Sequence, residues 1–214
     1  MRTWIEEMLD QGDQGRLKVN RHVMEIYYLP LQAYYRSCSW RWLGESEEVV
    51  GEFFRDRLER PGFFKGWQER ESKLRYWFLG AFQFFLKERA RKLRRDKHAP
   101  LEEEQVESGD DPRAEIDRAF ARSVVNEACR RTKALCEEQG LGEHWQTLLS
   151  HVEDGKSYPE LAVDMQVSEE RVKRMARTAR AKFRNTLIDL LNQDGVGKKD
   201  SEREIRHLME ILES

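Results

Sequence analysis

The chain has little of what holds together a small secreted, membrane or β-rich protein. Only three cysteines occur in 214 residues, Cys38, Cys129 and Cys136, and no two form a C-x-x-C pair. That excludes a disulfide framework and a cysteine zinc finger. Uninterrupted apolar runs fall far short of the roughly 20 residues a membrane span needs. The first ten residues carry three acids and no apolar stretch of the signal-peptide kind. A reduced, cytoplasmic location away from the membrane is the expectation. Thirteen glycines and five prolines are too few for a β-sandwich or a collagen-like chain. The P-loop, G-x-G-x-x-G, H-E-x-x-H and G-x-S-x-G motifs are missing. The histidines His22, His98, His144, His151 and His207 are scattered, and although His144 and His151 stand seven apart, no cysteine or paired acid completes a ligand set. Neither a catalytic residue, a metal site nor a cofactor is expected.

Charge and aromatic bulk are present in quantity. The chain is 36% charged and 39% hydrophobic, with 6 Trp and 10 Phe, enough apolar bulk for a packed core. Its length fits one medium domain or two small ones. The net charge of −2 hides a pattern: Leu86–His98 carries seven Lys/Arg against two acids, Pro100–Asp117 eight acids against Arg113, and Gln166–Arg184 seven bases against two acids. Two basic blocks around an acidic one suit a polyanion binder.

The acidic block LEEEQVESGDDP, Leu101–Pro112, lacks apolar periodicity and contains turn-forming residues, so it reads as the linker between two halves. In the first half, Val23–Leu43 reads as one or two helices, with Pro30 as a start or kink. Val49, Val50, Phe53, Phe54 and Leu58 share one side of the next helix, with Glu47, Glu48, Glu52, Arg55 and Asp56 on the others. Pro61-Gly62 stops it. A helix from about Ser72 to Arg95 begins aromatic, with Trp77 and Phe78 assigned to the core, and ends strongly basic.

In the second half, Ile116–Glu138 predicts a helix with Cys129 and Cys136 as small core side chains, and Trp145–Val152 a shorter one. Ser157-Tyr158-Pro159-Glu160 is a capping-box start. After a turn at Gln166-Val167, Ser168 caps a helix to about Leu191 whose Val172, Met175, Ala176, Ala179 and Phe183 face inward. Glu169, Glu170, Arg171, Lys173, Arg174, Arg177 and Arg180 lie on or near the outward face. Two helices joined by so short a turn form a helix-turn-helix. In the tail, Ile205, Leu208, Met209 and Leu212 predict an amphipathic helix that packs on the C-terminal domain or on a regulator.

Both halves resemble one family, the bacterial RNA polymerase sigma factors of the two-domain extracytoplasmic-function group. The stretch from Glu45 to Phe54, ESEEVVGEFF, stands where the family reads roughly DAEDLVQEFF, and Lys73–Glu88 resembles its basic-aromatic helix. Ser157, Tyr158, Glu160, Leu161, Ala162, Met165, Ser168, Glu169, Val172, Lys173, Ala179, Arg180 and Arg184 are in register with the family's region four. The matches span about Glu25–Leu191. Departures are Gly51 for a glutamine, Phe84 for an asparagine on the DNA-facing helix and Thr178 for an arginine.

The resemblance implies an all-α protein with a segment at 1–19, a region-two bundle at 20–98, an acidic linker at 99–115, a region-four domain at 116–192 and a tail at 193–214. It implies core RNA polymerase and promoter DNA as partners, with an anti-sigma factor as a further candidate. Glu47, Glu48, Val50, Glu52 and Phe53 would meet the polymerase β′ clamp helices, and the second domain the β flap. Arg75, Tyr76, Lys87, Arg91, Arg94 and Arg95 would form the −10 surface. Ser168, Glu169, Glu170, Arg171 and Arg174 would reach the −35 element, with Lys173, Arg177 and Arg180 on its backbone. The linker resembles the family segment that threads toward the RNA exit channel, a plain tether being the alternative. A helix-turn-helix regulator working without polymerase is the rival reading, and it leaves the first hundred residues without a role.

Overall fold

The computed structural model describes residues 3–60, 62–68, 73–96, 111–197 and 199–213. The helix stop at Pro61, the helix start at Ser72 and most of the acidic linker therefore lie outside the described residues. Among the described residues the regular structure is entirely helical, and no helix is long and apolar enough to cross a membrane. The chain forms two compact units, Met1–Ser123 with Asn192–Ser214, and Val124–Leu191.

The first unit opens with α1 (Trp4–Leu9), whose Thr3 and Glu6 complete a capping box at 2.7 and 3.3 Å. It crosses α2 (Asp13–Ser37) so closely that a Cβ on Gly15 would stand 1.7 Å from the Met8 carbonyl oxygen, so only glycine fits. Pro30 does not start α2 but lies inside it, the helix continuing on both sides. Its missing N–H deprives the Ile26 carbonyl of a partner. The Ser123 hydroxyl supplies one, donating to that oxygen at 2.8 Å. A 3₁₀ turn (Ser39–Leu43) leads to α3 (Ser46–Leu58), the short α4 (Lys65–Gln68) and α5 (Leu74–Asp96).

The core of this unit is aromatic. Tyr27 of α2 stacks on Phe78 of α5 at 4.5 Å, and Phe53 of α3 meets Phe82 edge-on at 5.0 Å. Phe120, on α6 (Pro112–Glu138), closes on Tyr27 at 5.6 Å. The first three turns of α6 thus belong to the first unit, and the boundary expected at 116 falls after Ser123. The helical pattern marks α6 but not which neighbour covers its apolar face.

The tail corrects a second expectation. Its helix, α10 (Ser201–Glu213), belongs to the first unit, not to the C-terminal domain. Asp194 explains why: Tyr27 donates its hydroxyl to that carboxylate at 2.5 Å, and His22 Nε2 lies 3.4 Å from its other oxygen. Gly195 is pressed so near Trp67 that a Cβ would come within 2.7 Å of the ring.

The second unit combines the rest of α6 with α7 (Gly142–Val152), α8 (Tyr158–Asp164) and α9 (Glu169–Gln193). Its core is small: Cys136, Trp145, Leu148 and Ala179 are buried together, with half-buried Cys129, Leu141, Leu149 and Phe183 against them. Both cysteines are free thiols in apolar surroundings, and burial pushes both pKa values up.

Candidate nucleic-acid interface

The second unit presents a helix-turn-helix. Ser157 accepts from the Glu160 amide at 3.4 Å while Glu160 accepts from the Ser157 amide at 2.8 Å, which fixes where α8 begins. The Ser157 hydroxyl, donating to that carboxylate at 2.7 Å, and the Ser157 amide hold the Glu160 carboxyl below the usual range. The turn passes through Gln166, which takes a left-handed φ of 54°. Ser168 then caps α9 by accepting from the Arg171 amide at 3.3 Å. Val172, Met175, Ala176 and Ala179 are buried, so the opposite face is committed to solvent. There Glu169, Glu170, Arg171, Arg174, Arg177 and Arg180 are all exposed. Lys173 is half-buried and paired with Glu169 at 2.6 Å, one turn away. Arg171, Arg174, Arg177 and Arg180 form no ion pair among the described residues.

The first unit presents a different surface along α5. Lys87, Arg91 and Arg95 are exposed at four-residue spacing, on the side of exposed Phe84. Arg94 is half-buried with its guanidinium 5.8 Å from the ring of exposed Trp42. Towards the start of α5 the helix borders a groove of about 680 Å3. Four aromatic side chains line it, Phe63, Tyr76, Trp77 and Phe84, together with Arg57, Arg60 and Arg113. Phe63 and Trp77 approach to 4.4 Å, and Arg57 lies 5.8 Å from the Phe84 ring. Exposed Gly80 borders the groove and has no atom within 4 Å of where its Cβ would stand. Arg57 is buried and paired with Glu88 and Asp56, and Arg60 pairs with Asp56 at 2.8 Å, so the lining offers a planar group stacking rings more than free cations.

Sequence reasoning missed Arg57, Arg60, Phe63 and Arg113 as part of this groove. The available signal was Phe63-Phe64 directly after Pro61-Gly62, two large aromatics in a turn where a core strand or helix is excluded. It also placed Trp77 in the core, whereas Trp77 is half-buried and lines the groove; Phe78 is buried as expected.

Arg75 is the clearest correction. It was expected on the DNA-facing surface and is 1% exposed. Its guanidinium donates to Asp117 of α6, and to Glu204 of α10 at 2.8 Å. Burial works against its charge, but the two carboxylates outweigh that and raise its pKa. Tyr76 donates its hydroxyl to the other oxygen of Asp117 at 2.7 Å and keeps one edge in the groove. Burial disfavours the Glu204 carboxylate, yet hydrogen bonds from Lys73 and the charge of Arg75 hold its pKa below the usual range.

The expected polymerase-facing residues divide as well. Val50 and Phe53 are both fully buried, Phe53 against Phe82 of α5 in the aromatic core. Glu47 and Glu48 are exposed, and Glu52 is half-buried and ion-paired with Arg89. Glu47 accepts from Arg36 at 2.7 Å and from Ser46 at 3.0 Å, and its own helix-terminal amide with these partners lowers its pKa. Among the described residues no cluster of His, Cys, Asp and Glu could hold a metal ion. Compared with known protein families, curated proteins and solved structures, the chain matches none.

Proposed function

We propose that this protein is a sigma factor of the extracytoplasmic-function type, which binds core RNA polymerase, directs it to promoters and helps open the DNA. The observation that carries the reading is the groove beside α5, where four aromatic rings and three arginines converge. Duplex DNA offers its bases edge-on and stacked, so rings in a groove have no use for it. Unpaired bases are another matter: each one stacked on an aromatic side chain regains about 1–3 kcal/mol of what melting costs. Lys87, Arg91 and Arg95, further along the same helix, supply sequence-independent attraction to the phosphates.

The helix-turn-helix of the second unit fills the other half of the role. The α9 helix inserts in the major groove with Arg171 and Arg174 at base edges and Arg177 and Arg180 on the backbone. Glu47 and Glu48, exposed on α3, form the charged rim that meets the polymerase clamp; Val50 and Phe53 support that helix from beneath. A regulator acting alone would use α8 and α9 but not the groove.

The test is Gly80→Leu, which places a side chain at the edge of the groove without meeting the fold at its Cβ. The variant is expected to co-purify with core polymerase as the unaltered chain does, yet to give at least ten-fold less permanganate-reactive, melted promoter DNA. Normal melting by the variant, or no association of either protein with polymerase, overturns the reading.

A further inference from the structure

We propose that the C-terminal segment, residues 192–213, is an acidic strap over the head of α5 that gives way when this end of the helix takes up nucleic-acid phosphate. The proposal rests on the promoter-opening reading and adds a regulatory element to it. The segment holds six acids against four bases. It is fastened to the first unit at Asp194, at Gly195 against Trp67, and at Glu204.

Glu204 is the point of interest. Its carboxylate accepts from Lys73 at 2.9 Å and 3.2 Å and from Arg75 at 2.8 Å, and its side chain is only 9% exposed. Lys73 and Arg75 stand at the start of the basic-aromatic helix, immediately before Tyr76 and Trp77 of the groove. A carboxylate held by a guanidinium and an ammonium occupies the place a phosphate would take, since both anions suit the same donors. Glu204 therefore occupies an anion position within the fold.

Two features make the occupancy exchangeable. Arg75 Nη2 is buried without a hydrogen-bond partner, so the cluster leaves a donor unused that a three-oxygen phosphate would satisfy. Along α10 the buried residues are Ser201, Glu204 and Leu208, and the other apolar side chains, Ile205, Met209, Ile211 and Leu212, are only half-buried. Helices with so few buried contacts open locally at low cost. A phosphate that binds the freed cations shifts the balance toward release, and release in turn raises affinity for the phosphate by the same factor.

Hydrogen exchange on the unaltered full-length protein, with and without a mixed-sequence single-stranded DNA 15-mer, reads the strap directly. Amides of 201–213 are expected to exchange several-fold faster with the oligonucleotide bound. In a parallel binding titration Glu204→Gln is expected to bind the 15-mer about 3- to 10-fold tighter at low salt, with a log–log salt slope steeper by about 0.7–1.4, as one or two freed cations require. If the 15-mer binds, 201–213 keep their exchange rates and Glu204→Gln binds no tighter, the strap is overturned while the promoter-opening reading stands. If the chain takes up neither the 15-mer nor polymerase, both are overturned.

Discussion

The α5 and α9 helices carry basic blocks of equal net charge and both keep cations of those blocks at the surface, but Arg75, at the head of α5 and outside its block, is used differently. In α9, Arg171, Arg174, Arg177 and Arg180 are exposed and form no ion pair among the described residues, where Glu169 and Lys173 make a local pair within the first two turns. In α5, Arg75 is consumed inside the fold by carboxylates 42 and 129 residues away. Local pairs can be read from spacing along one helix. Long-range pairs cannot, because nothing in the pattern around Arg75 names Asp117 or Glu204. A tally of positive charge measures what is available to a polyanion only after the cations already neutralised within the fold are subtracted.

The sharpest way to break this comparison is to delete one arginine from each helix. Arg75→Ala leaves Asp117 buried without its cation and Glu204 with Lys73 alone, and is expected to lower unfolding stability in urea by about 3–5 kcal/mol. A loss under 1 kcal/mol would mean that the cluster is not structural. At the same site on the other helix, Arg174→Ala is expected to change stability by no more than about 0.5 kcal/mol. It should instead weaken duplex DNA binding and flatten the log–log salt slope by about 0.9.

Acid titration sharpens the contrast further. The Glu204 pKa is depressed in the folded protein, so the stability it contributes is present above the ordinary glutamate pKa of about 4.3 and is lost as pH falls through its lower folded value. Glu204→Gln is expected to lower stability near neutrality and to flatten the profile in that acidic window, so that the two proteins converge at low pH, as followed by urea midpoints at stepped pH. An unaltered acidic limb would show that the carboxylate is not held by Lys73 and Arg75. A smaller effect than that of Arg75→Ala is expected in the second unit, where Ser157→Ala removes the α8 cap and should cost about 1 kcal/mol.

The same contrast explains what could be read from the sequence. The helix-turn-helix was legible to within a residue or two, because caps, a short turn and a 3.6-residue stripe are local signals: Ser157, Ser168 and Val172 to Ala179 all do what their spacing implies. The helices of the first unit were legible as helices, but their packing was not. Pro30 reads as a start or a kink, and nothing near it in the sequence names the Ser123 hydroxyl that satisfies the Ile26 carbonyl from 97 residues away. The tail reads as an appendage of the last domain until Asp194 is seen against Tyr27. Phe53 and Val50 satisfied the requirement for an interface anchor and equally that for a core, and only their burial decides between the two.

One practical consequence concerns fragments. A chain ending at residue 98 lacks Asp117, Phe120, Ser123, Asp194 and Glu204, each of which completes a buried contact of the first unit. Functional work on that unit therefore calls for the full chain.

The most direct measurement is transcription by purified bacterial core polymerase on genomic DNA with and without the full-length protein, with RNA 5′ ends mapped by sequencing. The account expects a set of discrete new start sites, each preceded by two shared sequence elements at constant separation. A distribution of 5′ ends identical to that of core polymerase alone would contradict it.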